Sequence, residues 1–322
     1  MKKFKNNLLF LLGITLFLGA CTLQGNSSES IQTNKDSNRI QVVTTIFPVY
    51  EITKAIAGDI AEVSLMVGAS DDAHHFEPSA QAITSVNEAH IFIYSSDLME
   101  FWVESLLEVI ENDDLKIIDL SSGLDLSLPN DEIIHSTDHD HSHDHGGQDP
   151  HFWLDPLAVE QQTSIITDTL SEVDPQNASL YEENAGIFST ELLTLHESYE
   201  EAFSEAESRE FVVQHQAFGH LANRYNLEQV AVGGLQTEIE PSPKKLVEII
   251  ELIQDQEVPV IYYQSGESSG IAETIASETG TDVAVLYDLE QKPAAFANAN
   301  ETDNLYLKAM YHNLNELKKS AY

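Results

Sequence analysis

A single cysteine, Cys21, stands among the 322 residues. No disulfide can form within the chain, and no cysteine cluster can hold a metal. Basic residues are scarce: 15 Lys and Arg face 54 Asp and Glu, a formal net charge of −39. A surface of that sign repels phosphate and argues against a DNA or RNA partner. It enriches cations only diffusely, and solubility or a salty or alkaline habitat would favour the same balance, so charge alone does not single out a metal. No apolar run reaches the roughly 20 residues of a membrane-spanning helix. No short-period repeat is visible. A His-Glu-x-x-His metalloprotease pattern is also missing.

The longest apolar run covers residues 8–18, interrupted only by Gly13 and Thr15, and follows Lys2, Lys3 and Lys5. That is the build of a secretory signal peptide. It ends in Leu18-Gly19-Ala20-Cys21, which resembles the bacterial lipoprotein signature in which the cysteine becomes the lipidated first residue. Residues 1–20 are therefore expected to be removed, leaving 12 Lys and Arg against 54 acids and a formal charge of −42. Residues 21–39 are too polar to bury a core and read as a lipidated flexible tether. The implied location is the extracellular face of the cell membrane, anchored through Cys21.

From residue 40 onward, strand and helix signals alternate. Strands are expected at 40–45, 62–67, 90–94 and 115–119. Helices are expected at 48–58, opened by Pro48 and closed by Gly58, and at 78–89 and 97–111. Residues 121–147 break the pattern as a polar loop. Asp155 and Pro156 suit the cap and first position of a helix to 173. A second helix, acidic and only moderately apolar, spans 174–207 and has the composition of a bridge between lobes. Strands at 211–214, 229–232, 258–263 and 282–286 then alternate with helices at 217–225, 243–254, 270–279 and 302–319. This is an α/β chain of two lobes, each a parallel sheet flanked by helices, joined by a long rigid helix. The lobes are assigned to 40–173 and 208–322.

Open α/β sheets bind ligands beyond the carboxyl ends of their strands. His74, His215 and Glu290 follow such ends, and His151 follows the irregular loop. Three imidazoles and a carboxylate form a tetrahedral zinc set, with Zn–N distances of about 2.0–2.1 Å. Manganese favours more oxygen donors, so a histidine at 215 favours zinc. Taken singly, each histidine is more simply a solvated side chain or a hydrogen-bond partner. Asp288 lies close enough to Glu290 in sequence to substitute for it. His75 is assigned to solvent or to support of a ligand, Asp155 to helix capping, and His196 and His220 to no metal role. Between them, His135, His139, His141, His143 and His145 alternate with acids or small polar residues. Such tracts bind transition metals loosely, and this one suggests an accessory collector or a sensor of zinc excess.

Five motifs occur in order: residues 42–48, His74-His75-Phe76-Glu77-Pro78-Ser79, His151-Phe152-Trp153-Leu154-Asp155-Pro156, His215-Gln216-Ala217-Phe218-Gly219 and Glu240-Pro241-Ser242-Pro243. Together they resemble the zinc-binding branch of the cluster A-I solute-binding lipoproteins of metal ABC transporters. The resemblance implies one metal between two lobes, His74, His151 and His215 as ligands, and a fourth position near Glu290 filled by Glu290, Asp288 or water. It implies a monomer that is not an enzyme and that passes Zn2+ to a membrane permease. Some relatives carry a further zinc-binding domain at the C-terminus, which a chain ending at Tyr322 is expected to lack. The rival readings are a manganese carrier of the same family, a zinc hydrolase and an adhesin.

Overall fold

The computed structural model describes residues 39–68, 71–128, 148–235, 241–266, 268–300 and 303–322. The signal segment, Cys21, the histidine run 135–145 and Glu240 lie outside the described residues.

Short, β-branched or aromatic segments form the first sheet: β1 (Gln41–Thr44), β2 (Glu62–Leu65), β3 (Ile91–Tyr94) and β4 (Lys116–Asp119). All pairs are parallel, in the order β2-β1-β3-β4, with Val43 opposite both Ser64 and Phe92. All four residues of β3 are buried, as expected of a central parallel strand covered on both faces. The crossovers are α1 (Phe47–Ala57), α2 (Ala80–Glu88) and α3 (Trp102–Leu107). Pro48 lies in the first turn of α1, and Gly58 ends it at φ +55°. Ser79 caps α2 by accepting from the Ala82 N–H.

Two helices follow, α4 (Pro156–Val173) and α5 (Ala178–Phe203). The second sheet holds β5 (Glu210–Val213), β6 (Glu228–Ala231), β7 (Val260–Gln264) and β8 (Asp282–Leu286). Its order, β6-β5-β7-β8, repeats that of the first sheet, again with parallel pairs. Helices α6 (Gly219–Arg224), α7 (Pro243–Asp255), α8 (Gly270–Thr279) and α9 (Leu305–Ala321) complete it. In each sheet the chain leaves its first strand toward one edge and returns to the other side of it, which makes a topological switch point where ligands collect.

Two expectations change. The predicted bridging helix starts later, at Ala178, and is not polar all round. Tyr181, Phe188, Leu192, Leu195, Tyr199 and Phe203 form a buried stripe at helical spacing. That stripe packs against α4, α1 and α9. Asn184 donates to the Ile56 carbonyl at 3.0 Å and the Tyr199 hydroxyl to the Met310 carbonyl at 2.7 Å. The helix predicted at 97–111 contracts to α3. The Glu100 carboxylate turns back to accept the N–H groups of Ser95 and Ser96, each at 2.9 Å, and so holds 96–100 in a separate turn.

Glu100 is fully buried. Burial pushes its carboxyl from the ordinary 4.5 up to about 8. A carboxyl raised on folding stabilises fully below its unfolded pKa and loses that contribution as pH rises through the folded one. Urea unfolding of the wild type is expected to lose stability by about 1.4 kcal/mol per pH unit at most, from this group, between about pH 5 and 8. Glu100→Gln, which keeps an acceptor for Ser95 and Ser96, removes that slope. An unchanged slope in the variant would count against the assignment.

Candidate metal centre

The loops beyond the strand ends bring four distant side chains together. His74 lies in the segment between β2 and α2. Its N–H donates to Asp72 Oδ1 at 2.8 Å, which bends the backbone just before it. His151 precedes a short 3₁₀ turn, Phe152–Leu154, that leads into α4. His215 stands two residues beyond β5, and Glu290 four beyond β8. Leu289, at φ +68°, turns the chain so that Glu290 faces inward.

All four side chains are buried. Glu290 Oε1 lies 2.9 Å from His151 Nε2, 3.6 Å from His215 Nε2 and 3.7 Å from His74 Nε2. Ligand atoms of His74, His151 and Glu290 fall within 4.8 Å of one another, and so do those of His215, Asp288 and Glu290. Around a tetrahedral zinc, neighbouring donors stand about 3.3 Å apart. The arrangement is thus near the size of such a cage, with Glu290 common to both triplets. Both ring nitrogens of His74 are buried without a hydrogen-bond partner among the described residues. Leaving such a group unsatisfied costs about 1–3 kcal/mol, which a bound cation would offset.

Behind these four side chains stands a set of supports. His151 Nδ1 meets Asp149 Oδ1 at 2.6 Å, and the His151 N–H donates to the same oxygen at 2.9 Å. With one proton held at Nδ1, Nε2 is the nitrogen left to coordinate an ion once its own proton departs. His215 Nδ1 meets Asp288 Oδ2 at 3.1 Å, and its Nε2 lies 3.1 Å from the Leu235 carbonyl. Asp288 therefore reaches the outer nitrogen of His215 while Glu290 occupies the centre. His220 Nε2 lies 2.8 Å from the Asp149 carbonyl and braces that loop. His75 is half exposed and pairs with Asp72 at 3.0 Å. Asp155 caps α4 by accepting from Leu157 and is also forked by Arg224 at 2.7–3.1 Å. His196 sits beside Tyr225 and Glu200, away from the cage.

The electrostatics follow from this packing. Burial alone would lower the His151 pKa, but Asp149 and Glu290 outweigh it and push the ring up to about 10. His215 is raised in the same way by Glu290 and Asp288 against burial. For Glu290, burial is overcome by His215, His151 and His74, and its carboxyl is held well below the usual range. Burial and the neighbouring Glu290 raise Asp288.

Several supports carry no local sequence signal. Trp153 Nε1 donates to the Asp288 carbonyl at 2.7 Å, and Tyr306 in turn donates to the Trp153 carbonyl at 2.8 Å. Asn313 on α9 clamps Tyr287 on both sides, at 2.8 and 2.7 Å. Gly219 passes so close to Leu128 and Asp149 that a Cβ there would collide with both side chains. Asp149→Asn and Gly219→Ala should therefore each weaken divalent-metal affinity by about 10- to 100-fold. Competition titration against a chelating dye checks this, and a wild-type affinity in both variants would contradict it.

The sequence model of one protein family, described as ZnuA, zinc-uptake complex component A periplasmic, matches residues 42–320. The chain is 35% identical over 305 residues to the zinc-binding lipoprotein AdcA of Streptococcus pneumoniae, covering 95% of this chain and 58% of that protein. It therefore spans a little over half the length of that relative. It is 34% identical over 306 residues to the high-affinity zinc uptake system protein ZnuA of Bacillus subtilis, covering 95% and 94%. Among solved structures, the Zn(II)-bound ZnuA-like domain of S. pneumoniae AdcA superposes with a TM-score of 0.74 at 35% identity, covering 88% of this chain and 99% of that one. The laminin-binding protein of Streptococcus agalactiae, described as having adhesin and metal-transporting activity, also gives 0.74 at 30% identity, covering 88% and 100%. With the doubled β-sheet order and the match over residues 42–320 in agreement, this chain belongs to the ZnuA family of zinc-uptake components.

Proposed function

We propose that the chain is the zinc-binding component of an ABC transporter, capturing Zn2+ outside the membrane and delivering it to a permease. His74, His151, His215 and Glu290 are the ligands, and zinc is cargo rather than cofactor. The observation that carries the reading is the aim of three buried imidazole nitrogens, from three separate loops, at one carboxylate oxygen. The unpartnered His74 ring supports it further. Relatives named for zinc binding and zinc uptake support the choice of metal. Three nitrogens and one oxygen form a donor set that favours zinc over manganese.

Four protein ligands would leave no open position for an activated water, which argues against the zinc-hydrolase reading of this site. Asp288 supports His215 and does not serve as the fourth ligand. Among the described residues no helix is long and apolar enough to cross a membrane. The anchor in this reading is a lipid on Cys21. The histidines at 135–145 act as an accessory collector. The protein works as a monomer of two lobes.

An open depression of about 530 Å3, lined by Asp71, Asp72, His75, Phe76 and Glu77 among others, adjoins the His74 segment.

Competition titration of the metal-free protein tests the reading: zinc should bind and manganese should fail to displace it. A preference for manganese, or no binding, overturns it. The pH dependence has a definite sign. His151 is pushed up to about 10 in the metal-free state, so zinc must displace a proton from it at neutral pH. Affinity should rise about tenfold per pH unit for each proton displaced. The decline on acidification thus begins well above the 6.5 of an unperturbed histidine. Calorimetry in two buffers of different ionisation enthalpy measures the proton release, and its absence would count against the ligand set.

A further inference from the structure

Two of the three histidines are aimed by carboxylates, His151 by Asp149 and His215 by Asp288. His74 is not: its Nε2 faces Glu290 Oε1 at 3.7 Å, and neither ring nitrogen has a hydrogen-bond partner among the described residues. A ligand imidazole without an outer hydrogen bond keeps its direction only if the backbone that carries it is fixed. That backbone is fixed on both flanks by one side chain. Trp102 Nε1 donates to the Ala73 carbonyl at 3.0 Å. The same indole meets the Phe76 ring edge-on, with centroids 5.0 Å apart and planes at 63°. Residue 73 precedes His74 and residue 76 follows it by two, so the grip spans the ligand. Trp102 is itself anchored at the start of α3, directly after the turn that Glu100 ties to Ser95 and Ser96.

We propose that Trp102 is a positioning residue: it aims His74 at the cage through the Ala73 carbonyl and the Phe76 ring, and thereby sets how fast the ion leaves. The inference rests on the zinc-carrier reading. The chain's other tryptophan, Trp153, holds the Asp288 carbonyl on the opposite side of the cage, so its loss serves as a contrast.

Trp102→Phe keeps an aromatic ring against Phe76 and removes the N–H donor. In a stopped-flow chase into excess chelator, zinc release should accelerate about three- to tenfold, the net effect of one hydrogen bond, with the association rate unchanged. In a His74→Ala background the same substitution should add nothing, because Trp102 acts through His74. A purely structural role would instead lower the unfolding midpoint and accelerate release equally in both backgrounds. Equal acceleration, or none, overturns the proposal. Phe76→Leu removes the other contact and should act in the same direction, which keeps the test open if Trp102→Phe folds poorly. Hydrogen exchange on the metal-free protein asks the question without the ion. Amides of residues 71–76 should exchange faster in Trp102→Phe, while those at 149–151 should not. If the wild type fails to hold zinc, the carrier reading falls, and the exchange result still decides the role of Trp102.

Discussion

One oxygen atom governs the site. Glu290 Oε1 is buried among three imidazole Nε2 atoms, the nearest at 2.9 Å. A carboxylate taken out of water without compensation costs several kcal/mol even after relaxation. Here the histidines supply the compensation, and the carboxyl stays ionised. The effect is reciprocal, since Glu290, Asp149 and Asp288 raise the pKa values of His151 and His215. In the metal-free cage His151 and Glu290 therefore stabilise each other's charged forms. An incoming cation takes the place of the His151 proton, so part of its charge replaces charge already buried there. Asp149 and Asp288 set the other half of the geometry, because each engages the Nδ1 of a histidine whose Nε2 faces Glu290.

Such a cage requires loops from distant parts of the chain to end at one place. The repeated sheet order provides it. In each half the first strand sits inside the sheet, with its successors on both sides, and the loops beyond those strands gather at the switch point. His74 comes after β2, an edge strand of the first sheet, His215 after β5, an inner strand of the second, and Glu290 after β8. The scaffold between them is stiff. Helix α5 buries a stripe of aromatic and leucine side chains against α1, α4 and α9. Helix α9 begins with the Leu305 N–H bonded to Glu51 on α1 at 2.8 Å and continues past Asn313, which clamps Tyr287. The loop bearing Glu290 is thus tied, through one helix, to the first half of the chain.

Much of this was legible in the sequence because it rests on local signals. Pro48, Ser79, Asp155 and Ser242 marked helix starts through capping and ring geometry, and all four stand at or within one residue of observed starts. Continuous apolar runs marked the buried strands. The histidines were visible through their place after strand ends, and the structure brings His74, His151, His215 and Glu290 together. The acidic, moderately apolar character of α5 was legible and its buried stripe was not, because the stripe emerges only when residues 181–203 are followed at helical period. The helix expected at 97–111 failed for another reason. A glutamate folding back on two backbone N–H groups is a tertiary choice, and propensity does not register it. Trp153 and Gly219 stood in the motifs without a role, and Asn313 stood in none. Each acts on a partner far off in the chain, which local sequence does not announce.

A carrier must hold its ion tightly and still give it up, and the two demands conflict if every ligand is fixed equally. The cage resolves this by unequal support. His151 is locked by a short bond to a buried carboxylate that Gly219 and His220 press into place. His215 is braced by Asp288, which Trp153 anchors through its carbonyl. His74 has no acid behind it and depends on contacts to its flanking backbone. On the proposed carrier reading, two histidines braced by carboxylates and a third held through its backbone would let coordination fall one ligand at a time, while the stiff helices behind the cage stay where they are.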